Sequence, residues 1–207
     1  MRRSTVTRVS KETRIAVTVD LDGHGRTAVR TGIPFLDHML TLLGTHGLCD
    51  LDVRAKGDLD IDLHHTNEDV GLVVGQAIDR ALGDRRGIAR FGCAYVPMDE
   101  ALARVVLDIS GRPKLILRDA RLPGRPTGGR RAKSAFGSSS AYQWGDAEHF
   151  LESFVRTAKL TLHIDVLAGS DFHHTCEAVF KALGRALEQA TRINPRVQGI
   201  PSSKGRL

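Results

Sequence analysis

HHTNED at residues 64–69 returns as HHTCEA at residues 173–178, and this pair of stretches decides how the fold is read. A run that recurs at long range in one chain points to a repeated structural unit. The sequence around the two copies agrees. Upstream of the first lies PFLDHMLTLLGTHG (34–47), with apolar residues at 35, 36, 39, 40, 42 and 43, the spacing of a helix face over 35–46. Upstream of the second lies DAEHFLESFVRTAK (146–159), again helical. LDVRA (51–55) and LTLHIDVLA (160–168) read as strands between the paired helices. The histidine motifs themselves open helices. In the first, over 65–82, Val70, Val73, Val74, Ala77, Ile78, Ala81 and Leu82 fall on one side. Residues 14–19 alternate apolar and polar as a strand, a DG turn follows, and then a second short strand. Residues 87–117 read as a pair of strands that opens the second half.

The order in each half is therefore strands, helix, strand, helix. His38 stands 26 residues before His64, and His149 stands 24 before His173. These spacings predict an α+β fold of duplicated β-β-α-β-α units, 1–88 and 89–207, related by pseudo-twofold symmetry within one compact globular domain. Each unit would be a sheet with helices on one face and the other face free to pack. The glycine-rich stretch 121–140 reads as an insertion in the second unit, and its basic run RLPGRPTGGRRAKS (121–134) as a solvated loop.

Composition narrows the function. The chain has 207 residues, 41% hydrophobic and 26% charged, as an ordinary folded protein has. No apolar run approaches the ~20 residues of a membrane span. The N-terminal MRRSTVTRVSKETRIAVTVDLDG lacks a secretory apolar stretch, so the expectation is a cytoplasmic protein without membrane contact. The net charge of +6 and pI of about 9.6 allow an anionic partner. Aromatic residues make up only 5% and do not interleave with basic ones, which argues against a nucleic-acid platform. Cys49, Cys93 and Cys176 show neither zinc-ribbon nor disulfide spacing and read as small buried residues. Cys176 lies inside the second motif, but Asn67 holds its place in the first, so a thiolate ligand is not expected there.

The histidines carry the chemistry. On a helix, i and i+4 share a face while i+1 points about 100° away. His64 and Glu68 can grip one ion while His65 serves another. His173 with Glu177, and His174, repeat the pattern. His38 and His149 each add an imidazole from the preceding helix. A symmetric assignment gives His64, Glu68, His149 and His174 to one site and His38, His65, His173 and Glu177 to the other, with ligands free to come from different chains. Imidazole and carboxylate without thiolate suit Mn(II), Fe(II) or Zn(II) in a catalytic rather than a structural site. A single HHxxE could merely cap or solvate a helix start; two copies with matched upstream histidines favour ligation. Of the other histidines, His24 reads as a solvated turn residue and His163 as a strand residue pointing out of a sheet. His46 reads as a helix end or a substrate contact.

At FLDHML (35–40), HHTNED (64–69), DFHHTCEAVFKALGRAL (171–187) and SSKG (202–205) the chain resembles the imidazoleglycerol-phosphate dehydratase family over nearly its whole length. The resemblance implies removal of water from imidazole glycerol phosphate to give imidazole acetol phosphate in histidine biosynthesis. It implies two Mn(II) ions (Mn2+) per active site. It also implies a homo-oligomeric shell of twenty-four chains, with sites formed between subunits. An imidazole ring held by two ions suits that reaction, because metal binding lowers its N–H pKa and the imidazolate can expel the neighbouring hydroxyl. The family's acid/base glutamate matches Glu12 in SKETRI, and Asp99 and Glu100 in PMDEAL are further proton-transfer candidates. Its phosphate contacts match Arg90, Arg112, Ser202, Ser203 and Lys204, with Lys181 as an additional cation. One departure is TLLGT (41–45), where the family pattern carries a polar residue, often glutamine; the substrate-hydroxyl contact of that position is not carried over.

Two other readings compete. A different di-metal enzyme such as a phosphoesterase would need a metal-activated water and usually more carboxylates, often bridging. A nucleic-acid-binding or metal-storage protein would show salt-sensitive DNA binding or ion uptake without turnover.

Overall fold

A computed structural model describes residues 2–119 and 142–207. The basic run at 121–134 and the stretch read as an insertion lie outside the described residues. The first unit contains β1 (Arg3–Val9), β2 (Thr13–Asp20), β3 (Thr27–Arg30), α1 (Pro34–His46), β4 (Asp50–Gly57) and α2 (His64–Leu82). The second contains β5 (Phe91–Met98), β6 (Ala101–Asp108), β7 (Lys114–Asp119), α3 (Trp144–Ala158), β8 (Thr161–Ala168) and α4 (Phe172–Thr191). The two sheets have matching orders, β1-β2-β4-β3 and β5-β6-β8-β7, with only the last pair of each parallel. The duplicated α+β architecture is as the repeat implied.

Each unit carries one strand more than the sequence suggested. In β1, RSTVTRV buries only Val6, so it offers no apolar alternation to read. Its seven residues nevertheless pair in antiparallel register with β2, from Arg3 opposite Asp20 to Val9 opposite Arg14. Backbone pairing, not a hydrophobic face, makes this edge strand. In the second unit the stretch read as two strands contains three, because SGRP breaks β6 from β7.

Alternation sets which face of each sheet is covered. Ile15, Val17 and Val19 of β2 and Leu51 and Val53 of β4 are buried, as are Ala103, Val105 and Leu107 of β6 and Leu162, Ile164 and Val166 of β8. α2 packs on β1 and β2, and α4 on β5 and β6. The helices also pair with each other, α1 with α4 and α2 with α3. Each pair joins one helix from each unit. All seven α2 residues expected on the buried side are buried. Cys49 and Cys176 are buried, but Cys93 is exposed: it points outward from β5, between Gly92 and Ala94 on the covered face.

Glycine lets the helix pairs meet closely. A methyl group on Gly71 of α2 would lie 2.8 Å from the Phe150 carbonyl oxygen of α3, and one on Gly75 would overlap Phe154 and Thr157. A methyl on Gly184 of α4 would lie 2.7 Å from the Leu43 carbonyl oxygen and 2.9 Å from the Gly47 nitrogen at the end of α1. Backbone against backbone, these contacts fix the spacing of whatever side chains stand at the helix starts.

Candidate metal centre

Four short polar devices place the histidines. Asp37 accepts hydrogen bonds from the Thr31 amide at 2.8 Å and the Thr31 hydroxyl at 2.5 Å, which anchors the start of α1 beside His38. Asp62 accepts from the His64 amide at 2.8 Å at the start of α2. Asp171 caps α4, accepting from the His174 amide at 2.9 Å. Asn67 is buried and ties α2 to α3: its amide donates to the Asp146 carbonyl at 2.9 Å and its carbonyl accepts from the Tyr142 hydroxyl at 2.9 Å.

Two triads result. His38 Nε2 and His173 Nε2 lie 3.0 Å and 2.9 Å from the same oxygen, Oε1 of Glu177. His64 Nε2 lies 3.9 Å from Glu68 Oε2, and its ring stacks on that of His149 with centroids 4.4 Å apart. In each triad one ligand atom per residue can be chosen so that all lie within 4.8 Å of one another. Each triad joins the two repeats, α1 with α4 and α2 with α3. Two imidazoles and a carboxylate, without thiolate, are a donor set that fits a divalent ion of the Mn(II) type.

Each carboxylate has a cation beside it. Lys181 Nζ lies 2.5 Å from Glu177 Oε2, and Arg156 Nη2 lies 3.1 Å from Glu68 Oε1. Burial pushes the Glu177 carboxyl up, but its bonds to Lys181 and His38 outweigh this and hold it down at about 2. The group is ready to ligate at any physiological pH. Lys181, placed by sequence among substrate contacts, thus sits against the triad.

His65 and His174 face away from the triads of their own chain. His65 Nδ1 lies 2.9 Å from Asp58 Oδ2 and 3.9 Å from Glu12 Oε2. His174 Nδ1 lies 2.8 Å from Glu100 Oε2, and its Nε2 is 3.6 Å from Asp99 Oδ2. Glu12 and Asp99 occupy matching places, the β1–β2 and β5–β6 turns. Glu100 is held at about 2 by amide hydrogen bonds from Asp171 and Ser170 and by His174, the Asp171 amide being the largest influence. Hydrogen bonding to Asp58 and to Glu100 raises the pKa of His65 and of His174. Nothing in the polar run GDLDID marks Asp58 out in the sequence.

A cationic cluster forms elsewhere. Arg90 pairs with Asp108 at 2.7 and 3.0 Å and donates to the Pro201 carbonyl at 2.7 Å, which brings Ser202, Ser203 and Lys204 alongside. Arg112 is largely exposed and reaches the same Asp108 at 4.0 Å. The Arg90 amide donates to the Ala190 carbonyl near the end of α4. Seventeen residues of helix separate Ala190 from His173, about 26 Å at the rise of an α-helix. His46 joins neither group. It ends α1, about 12 Å along the helix from His38, and burial, Lys181 and Arg185 lower its pKa.

A duplicated α+β fold with two His–His–Glu triads, each built across the repeats, is the class of protein that can carry a pair of divalent-ion sites. A sequence profile of the imidazoleglycerol-phosphate dehydratase family matches residues 31–187. The imidazoleglycerol-phosphate dehydratase of Aromatoleum aromaticum is 52% identical over 208 residues, covering 100% of both chains. The crystal structure of the enzyme from Staphylococcus aureus superposes with a TM-score of 0.74 at 35% identity, covering 93% of this chain and 99% of that one. The structure from Pyrococcus furiosus gives 0.76 at 32% identity, covering 98% and 100%. The chain belongs to the imidazoleglycerol-phosphate dehydratase family, whose members are hydro-lyases of histidine biosynthesis. The phosphoesterase reading gains no support from these relatives.

Proposed function

We propose that this chain takes water from imidazole glycerol phosphate to give imidazole acetol phosphate, at sites assembled from more than one copy of itself. The observation that carries the reading is the pair of His–His–Glu triads. His38, His173 and Glu177 would hold one Mn(II), and His64, Glu68 and His149 the other. His65 and His174, turned outward, would each complete a triad on a neighbouring copy, as the symmetric four-ligand assignment requires. When bound, the two ions supply electrophilic pull on the substrate's imidazole ring, which lowers the pKa of its N–H. Glu12 and its pseudo-equivalent Asp99, each beside an outward histidine, would move protons to and from the reacting carbons.

Arg90, Arg112, Ser202, Ser203 and Lys204 would bind the phosphate, with Asp108 orienting the Arg90 guanidinium. The substrate is about 10 Å long, with the three carbons of glycerol between ring and phosphate. It cannot span the roughly 26 Å of α4 that separates Ala190, beside this cluster, from His173 of the same chain. Ring and phosphate would therefore be held by different copies, in keeping with an assembly of twenty-four. The two repeats, 1–88 and 89–207, would act as halves of one folding unit, since each triad draws a helix from both. Among the described residues no helix is long and apolar enough to cross a membrane, and we place the protein in the cytoplasm.

Metal-stripped protein should regain turnover of imidazole glycerol phosphate on addition of Mn(II), and His64→Ala and His173→Ala should not. Protein that binds Mn(II) and leaves the substrate intact would remove the assigned reaction. Sharing of sites has its own readout. Separately inactive His173→Ala and Arg90→Ala chains, dissociated and reassembled together, should recover a fraction of wild-type activity. Mixtures as inactive as either parent would show ring and phosphate bound by one copy.

A further inference from the structure

Two carboxylates outside the triads have a common geometry that the ligand assignment does not use. Asp58, which follows β4, meets the Nδ1 of His65 at 2.9 Å. Glu100, between β5 and β6, meets the Nδ1 of His174 at 2.8 Å. His65 and His174 are the second histidines of the two repeated motifs, so the same nitrogen of the same motif position is engaged twice, by carboxylates from different places in the two units. An ionised carboxylate only accepts hydrogen bonds, so Nδ1 carries the hydrogen in both rings. In the neutral ring the lone pair then belongs to Nε2.

We infer that Asp58 and Glu100 are positioning residues that fix His65 and His174 as Nδ1–H tautomers and aim each Nε2 outward as a metal donor. The inference rests on the reading that these two histidines complete triads on neighbouring copies. A carboxylate behind a ligating imidazole fixes ring orientation and raises ligand basicity. The two supports are not equally braced. Glu100 Oε1 accepts amide hydrogen bonds from Ser170 at 3.1 Å and Asp171 at 2.8 Å. Asp58 Oδ1 is buried without a hydrogen-bond partner among the described residues. Asp58 therefore depends more heavily on its histidine, and its removal disturbs less besides.

The test is Mn(II) affinity of the assembled protein, measured by equilibrium dialysis without substrate. Asp58→Ala and Glu100→Ala should each weaken one class of Mn(II) by about ten- to a hundredfold, the range for loss of such a support. Asp58→Asn, which keeps the shape and an acceptor oxygen, should weaken it less. In a His65→Ala background Asp58→Ala should produce no additional loss, because it acts through the ring that is already gone. Unchanged affinity in folded Asp58→Ala and Glu100→Ala chains, or an Asp58→Ala loss that persists undiminished without His65, would overturn the inference. Wild-type protein that binds Mn(II) tightly but does not turn over substrate would instead overturn the reaction assignment, while these binding constants would still decide the role of the two carboxylates.

Discussion

Glu177→Ala should abolish turnover and weaken Mn(II) at the α1–α4 triad by more than about a hundredfold, beyond the effect of losing a mere outer support. Three side chains meet this one carboxylate: His38, His173 and Lys181. Its removal deletes a ligand and also leaves the Lys181 ammonium beside two histidines, on a side chain only 17% exposed, with no counter-charge at 2.5 Å. The metal-free protein should accordingly lose about 1–3 kcal/mol, the cost of orphaning a largely buried polar group. Dialysis against Mn(II) and denaturant melts read the two effects separately. A Glu177→Ala chain that binds the full complement of Mn(II) would show that the triad is not an ion site.

Gly75→Ala should cost a comparable amount of stability, about 1–3 kcal/mol from overpacking, and should disable one triad selectively. The new methyl would strike Phe154 and Thr157 and lie 2.9 Å from the Ala158 nitrogen, so α2 and α3 must part. Those helices carry His64, Glu68 and His149. The stacked His64 and His149 rings would separate, while the α1–α4 triad, spaced by Gly47 and Gly184, would keep its geometry. A metal titration should therefore find one class of Mn(II) lost or weakened and the other retained. Equal weakening of both classes would mean that the triads are coupled more tightly than their helix pairs suggest.

Much of this was legible from sequence because duplication writes each signal twice. One HHxxE is ambiguous, but two at matched distances from DHM and EHF mark the helices and the repeat and supply all eight ligand candidates. The helix faces followed from spacing alone. β1 escaped because an edge strand can be held by backbone pairing with a single buried side chain. Asp58 escaped for a different reason: it lies seven residues from His65 across the turn before α2, and such contacts have no periodicity. The sequence also placed Arg90 and Lys181 in one list of substrate contacts. The i, i+4 spacing already puts Lys181 one turn from Glu177, whereas only the hydrogen bond from the Arg90 amide to Ala190 puts Arg90 at the opposite end of α4.

Because each triad takes one helix from each repeat, neither half could form one alone. A lone repeat would have had to meet a second copy of itself, and the two ion sites it formed would have been identical by symmetry. Joining the repeats in one chain turns that encounter into an intramolecular one and also releases the sites from identity. The sequence has used the freedom. Cys176 stands where the first motif has Asn67, and the cation beside Glu177 comes from its own helix whereas that beside Glu68 comes across from α3. Held in one chain, the two triads stand among different neighbours and can be tuned apart.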